Sequence, residues 1–203
     1  MNKLPGQTPP SAGARMLLIL DLDETLIYAT ERALERPADF RLDHYHVYQR
    51  PYLNEFLDRV GPYFDLAVWS SAGDDYVREV VAQVFPADLP LAFVWGQSRC
   101  TYRRNWQRER LAHLGLAPGP QYHYVKPLRK LRRRGYRLDH MLIVDDSPHK
   151  AQDNYGNAIY PREFRGDPTD RELLGLSRYL LYLRSVGQVR SVEKRGWWQD
   201  WSE

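Results

Sequence analysis

Residues 16–30 read MLLILDLDETLIYAT, an unbroken apolar run that stops at Asp21, Leu22, Asp23 and Glu24 before hydrophobicity resumes. A solvated turn there would recruit Gly, Asn or Pro, which meet turn geometry, and none is present. Acids at the end of a greasy segment therefore need another role. Two further segments share the design: FDLAVW (64–69) ahead of Ser70, and MLIV (141–144) ahead of Asp145. Short apolar runs bounded by polar residues suit strands buried on both faces, as in a parallel sheet covered by helices. LAFVW (91–95) is a fourth candidate strand and NAIY (157–160) a fifth.

Helical patterns lie between them, at Tyr52–Val60 after Pro51, at Asp74–Val84, and at Leu128–Arg134 stopped by Gly135. Near the end, TDRELLGLSRYLLYLRSV reads as an amphipathic helix with Thr169 or Asp170 as its N-cap. Strand alternating with helix predicts an α/β fold with a doubly wound, Rossmann-like parallel sheet. In such sheets the ligand site lies beyond the carboxyl ends of the strands. Asp21, Asp23, Ser70, Asp145 and Asp146 are thus expected to converge on one crevice. Residues 31–50 read as a loop plus a strand or hairpin, and residues 97–124 as a small insertion over the active-site edge, placed to roof the site and select substrates.

Length and composition fit one core-forming domain over residues 16–185: 203 residues, 43% hydrophobic. The net charge of +3 attracts acidic or phosphorylated partners but is too small to argue for a nucleic-acid protein. A single cysteine, Cys100, excludes an internal disulfide, and no zinc-type spacing accompanies it, so a reducing cytoplasm is the expected compartment. Residues 1–15 read as a disordered leader rather than a secretory signal, and the Met16–Leu20 run is too short for a membrane span. A monomer without membrane attachment is expected. The basic tail, 186–203, carries Trp197, Trp198 and Trp201, expected to bury on the chain's own surface.

Four carboxylates in one crevice cannot all stay ionised unaided, since two unit charges ~4 Å apart repel by roughly 4 kcal/mol at an effective dielectric of 20. A cation among all-oxygen ligands beside a phosphate-sized opening points to Mg²⁺. Lys126, ahead of Pro127, is placed to aim an ammonium into the same crevice, and Ser70 to donate one hydroxyl hydrogen bond. Such a set suits a phosphoryl group gaining charge during transfer, with the nearest carboxylate attacking phosphorus and water later hydrolysing the aspartyl-phosphate.

DLDET (21–25), the serine of VWSS, the lysine of YVKPL and IVDDSP (143–148) resemble, in order, the four motifs of the haloacid dehalogenase superfamily. With RPYLNEFL, YVKPLRKL and the closing NAIYPREFRGDPTDRELLGLSRYL, the chain looks like the small CTD-phosphatase or NLI-interacting-factor branch over residues 16–185. The resemblance implies a Mg²⁺-dependent phosphomonoester hydrolase acting on phosphoserine or phosphothreonine in proteins. It implies Asp21 as nucleophile and metal ligand, and Asp23 as general acid then base, with its backbone carbonyl on the metal. Ser70 and Lys126 would hold the phosphoryl oxygens, Thr25 would brace the phosphate-binding loop, and Asp145 and Asp146 would hold Mg²⁺. Asp146 stands where eukaryotic members often carry Asn, and Gln97 where they tend to carry a substrate-side arginine that Arg99 is placed to replace. Two alternatives stay open: the same chemistry on a nucleotide, nucleic-acid end or small ester, or an inactive protein-binding module.

Tyr102, Arg103, Arg104, Trp106, Arg108 and Arg110 interleave rings with cations and suit either substrate selection or packing over the core. His44 and His46 lack a third ligand at suitable spacing and read as ordinary strand histidines, Cys100 as a buried thiol, and the basic run 126–137 as a solvated helix end.

Overall fold

The apolar pentad Met16–Leu20 forms β1, the middle strand of a five-stranded parallel sheet in the computed structural model, which describes residues 15–104 and 122–201. On one side lie β5 (Phe64–Trp69) and then β6 (Leu91–Trp95); on the other lie β9 (Met141–Val144) and then β10 (Ala158–Ile159). Every residue of β1 is buried because both faces are covered. Leu18 and Leu20 face a core shared with α1 (Leu53–Val60), α2 (Asp74–Val84) and α3 (Glu172–Val186), whereas Leu17 and Ile19 face a second core with Leu128 and Leu131. In α2 the buried residues Val77, Val80 and Val84 recur at helical spacing, and Asp74 and Asp75 suit the positive end of its first turn. The doubly wound α/β expectation is borne out.

Two local expectations change. Leu128–Arg134 is a 3-10 helix, whose three residues per turn align its two buried residues, Leu128 and Leu131, on one side while its cations stay in water. The N-cap of α3 is Arg171, although Asp170 still accepts a hydrogen bond from the Glu172 N–H at 2.9 Å.

Residues 27–49 form a separate antiparallel sheet of β2 (Ile27–Thr30), β3 (Phe40–Leu42) and β4 (Tyr45–Gln49), in the order β2-β4-β3. Of the 97–124 insertion, β7 (Thr101–Arg104) and β8 (Tyr122–Val125) pair as an antiparallel ribbon. Trp106, Arg108 and Arg110 lie outside the described residues, as does the 1–14 leader. At the other end, Trp197 is buried against Tyr179 and donates to the Tyr160 carbonyl at 3.1 Å, while Trp198 and Trp201 belong to α4 (Trp198–Trp201).

The loop after β1 is fastened from behind by Arg50, whose buried guanidinium donates to both Asp170 carboxylate oxygens at 3.0 and 2.8 Å and to the Thr25 carbonyl at 3.0 Å. The same guanidinium lies over the Phe164 ring, and the Phe164 N–H donates to the Glu24 carbonyl at 2.7 Å. Arg50→Met leaves Asp170 without its counter-ion and a buried carbonyl without a donor. It is expected to cost about 3 kcal/mol, read as a lowered urea midpoint.

Candidate active site

The carboxyl ends of β1, β5 and β9 bring the predicted acids, serine and lysine into one crevice. Asp21 follows β1 and donates its N–H to the Val144 carbonyl at 3.0 Å, so the end of β1 is registered on the end of β9. Its Oδ1 accepts from the Leu22 N–H at 2.8 Å, and its Oδ2 lies 2.7 Å from Lys126 Nζ. The same ammonium reaches Asp145 Oδ2 at 2.7 Å, so one buried lysine joins two buried carboxylates from neighbouring strands. Asn154 fixes the lysine segment through both ends of its amide, donating to the Lys126 carbonyl at 2.7 Å and accepting from the Leu128 N–H at 3.0 Å.

Asp23 turns the other way. Its Oδ1 accepts from the Tyr76 hydroxyl at 2.6 Å and its Oδ2 from Ser70 Oγ at 3.3 Å. Ser70 itself is set by its N–H on the Trp95 carbonyl and by the Ala72 N–H on its hydroxyl. Thr25 is wholly buried, and its hydroxyl is spent on Asp146, donating to Oδ1 at 3.2 Å and accepting from the backbone N–H at 3.1 Å. These two hydrogen bonds make it a brace between two loops.

These placements drive the carboxylates apart in acidity. Burial opposes charge on Asp21, but the Lys126 and Lys150 ammoniums outweigh it and hold Asp21 below the usual carboxylate range. Burial raises Asp23, and the Asp21 charge adds to it, against the Tyr76 and Ser70 hydrogen bonds. Asp145 is pushed up to about 7, by burial first and then by Asp21, and Glu24 to about 7 by burial with Asp23 and Asp146.

Three participants escaped the sequence reading. Lys150 lies 3.5 Å from Asp21 Oδ2 and is tied in by its carbonyl, which accepts from the Lys126 N–H at 2.7 Å. Tyr76 sits among the apolar residues of α2, where its ring disguises a hydroxyl aimed at Asp23. Glu24 holds a left-handed backbone, φ 57°, which no residue type in DLDET announces.

Of the residues predicted to select substrate, Arg103 is taken up by Asp153 in a bidentate pair at 2.8 and 2.7 Å. Tyr102 is exposed and stacks on Tyr122, while Arg99 and Gln97 are exposed beyond the end of β6. His44 sits in the turn between β3 and β4, beside Glu31, and neither it nor His46 joins a ligand cluster among the described residues. Cys100 is part-buried, and burial raises its thiol.

Asp21, Asp145 and Asp146 each present one carboxylate oxygen within 4.8 Å of the other two. An all-oxygen set of that size fits a hard divalent cation. An α/β enzyme of haloacid dehalogenase type, built to handle a phosphoryl group, is the class that this sheet and crevice define.

Residues 16–190 match the family of NLI interacting factor-like phosphatases, and the chain belongs to that family. It is 29% identical over 197 residues to CTD nuclear envelope phosphatase 1 homolog of Drosophila melanogaster, covering 89% of this chain and 72% of that protein. It is 26% identical over 195 residues to Nuclear envelope morphology protein 1 of Saccharomyces cerevisiae, covering 86% of this chain and 40% of that one. The structure of Fcp1, an essential RNA polymerase II CTD phosphatase, superposes with a TM-score of 0.60 at 16% identity, covering 85% of this chain and 63% of the other. The family and fold expected from the motifs are borne out.

The expected cytoplasmic location is corrected, because relatives similar over most of the chain carry nuclear-envelope names. A single cysteine excludes an internal disulfide in any compartment, so it could not decide the location. No helix among the described residues is long and apolar enough to cross a membrane.

Because the raised Asp145 must lose its proton before it can hold a cation, added Mg²⁺ should raise the melting temperature more at pH 8 than at pH 5.5. The sign for the metal-free protein is opposite. A carboxylate whose folded pKa is raised supports folding below its unfolded pKa near 4, and that support is lost as pH rises through about 7. Thermal scans with EDTA or Mg²⁺ at the two pH values test both statements.

Proposed function

We propose that the protein is a Mg²⁺-dependent phosphomonoester hydrolase that works through an aspartyl-phosphate on Asp21, with phosphoserine or phosphothreonine in a protein as its substrate. The observation that carries this reading is the split between two carboxylates two residues apart. Asp21 is held ionised by Lys126 and Lys150, and Asp23 is raised in a part-buried niche. Pairs of acids pushed apart in this way take nucleophile and acid roles.

A cation bound by Asp21, Asp145 and Asp146 would supply Lewis-acid stabilisation of the phosphoryl oxygens. The chain's own residues do the rest. An Asp21 carboxylate oxygen bonds to phosphorus as the bond to the leaving alkoxide breaks, and Asp23 delivers its proton to that departing oxygen. Ser70 and Lys126 hold equatorial oxygens. Asp23, now ionised, then takes a proton from water as the water oxygen bonds to phosphorus and the Asp21–phosphate bond breaks, releasing inorganic phosphate. Tyr76 keeps the Asp23 carboxyl oriented through both half-reactions. The phosphoprotein substrate is supported by relatives named as CTD phosphatases.

Asp21→Asn should abolish turnover of p-nitrophenyl phosphate and lower the melting temperature in metal-free buffer, because it takes one carboxylate away from the buried Lys126 ammonium. Near-normal turnover in a preparation free of wild type would sink the covalent mechanism.

Asp23→Asn should retain Mg²⁺ binding and lose roughly 10²–10⁴ in rate on phosphopeptides. The first step on p-nitrophenyl phosphate, whose leaving group needs no proton, should suffer less, and phosphoenzyme should accumulate. Single-turnover kinetics with both esters reads this out, and equal defects without trapped phosphoenzyme would remove Asp23 from proton transfer.

A further inference from the structure

Between the end of the edge strand β6 and the 128–134 segment lies a groove of about 1010 Å³. Among the described residues, six cations line it, Arg99, Arg129, Lys130, Arg132, Arg133 and Arg134, and no carboxylate does. Arg129 has Asp153 at 3.8 Å, but that carboxylate already serves Arg103 in the bidentate pair. Among the described residues no carboxylate forms an ion pair with Arg99, Arg132, Arg133 or Arg134. Burial and the Arg129 and Arg99 charges push Lys130 below the usual lysine range.

The groove is also preorganised. The Arg99 and Arg134 guanidiniums both lie over the Trp95 ring, at 5.6 and 5.4 Å from its centroid, so one indole gathers cations from both walls. Lys130 Nζ donates to the Arg99 and Cys100 carbonyls at 2.7 and 3.2 Å and so joins the two walls. Clustered cations repel one another, and an anion that takes several N–H donors at once relieves that repulsion.

Its position selects the anion. One wall begins at Trp95, whose carbonyl accepts the Ser70 N–H at 2.9 Å, and passes Cys100, whose thiol donates to the Ser70 carbonyl. The other wall begins two residues after Lys126. One wall is thus hydrogen-bonded to the Ser70 backbone and the other continues the segment that carries Lys126, the two side chains proposed to hold phosphate. We propose that this groove binds a second phosphate group on the same substrate chain, so that the protein prefers multiply phosphorylated segments. The proposal rests on reading the Asp21 crevice as a phosphoprotein phosphatase site.

The test uses singly phosphorylated peptides and doubly phosphorylated ones in which the second phosphate is stepped along the chain. Binding to the Asp21→Asn protein is read by fluorescence anisotropy at fixed salt, and kcat/KM is read on wild type. The best doubly phosphorylated peptide should bind about tenfold tighter than its singly phosphorylated parent. Arg132→Glu with Arg133→Glu should erase that preference, and the double lysine variant should retain most of it. Both side chains are exposed, so unchanged melting temperatures should accompany these variants. Equal binding at every spacing would overturn the proposal, as would a preference that survives charge reversal. A single-stranded oligonucleotide of equal charge binding tighter than every peptide would also overturn it. Intact binding preference without phosphate release from any peptide would strike the catalytic reading and leave the groove standing.

Discussion

The structure is organised around one buried ammonium. Lys126 Nζ lies 2.7 Å from a carboxylate oxygen of Asp21 and 2.7 Å from one of Asp145, and all three side chains are almost wholly out of water. Burying one of these charges alone would cost several kcal/mol, so none is stable there without the others. Adjacent parallel strands put the two acids side by side, and Asn154 with the Lys150 carbonyl fixes the backbone that carries the lysine. Sheet order, lysine position and crevice electrostatics are thus one constraint.

The same constraint divides the labour within DLDE. Asp21 faces Lys126 and Lys150, whereas Asp23 faces neutral donors from Ser70 and Tyr76. Identical side chains two residues apart acquire opposite acidity because the loop between them turns one toward the lysines and the other toward α2. The backbone that permits this turn, with Glu24 left-handed, is itself held by the Arg50, Thr25 and Phe164 contacts behind it. Fold stability and site chemistry therefore share residues that never touch a substrate.

The periphery follows different rules. At 16% identity to Fcp1 the α/β framework persists, because buried strands need only apolar volume and the right register. Surface charge is free to vary over such a framework. The basic run from Lys126 to Arg137 illustrates this: as a sequence it reads as a solvated helix end, yet its 3-10 geometry sets its cations beside Trp95 and Arg99 from a distant segment. No local pattern records that neighbour.

The sheet and the polar groups at its strand ends are legible in the sequence alone. Apolar runs ending in Asp21, Ser70 and Asp145 mark strands buried on both faces, and burial on both faces requires a layered α/β sheet whose polar strand ends meet. Lys126 was also legible, since it closes an apolar run just ahead of Pro127. Tertiary structure alone decided what surrounds those groups. Lys150, Tyr76 and Arg50 come from positions that look like a loop lysine, a helix aromatic and a strand end, and Arg103 is drawn off to Asp153. Acidity, ion pairing and shared grooves depend on distances of a few ångströms between residues far apart in the chain. Residue type and spacing fix which groups can meet, and only packing fixes which partner each one takes.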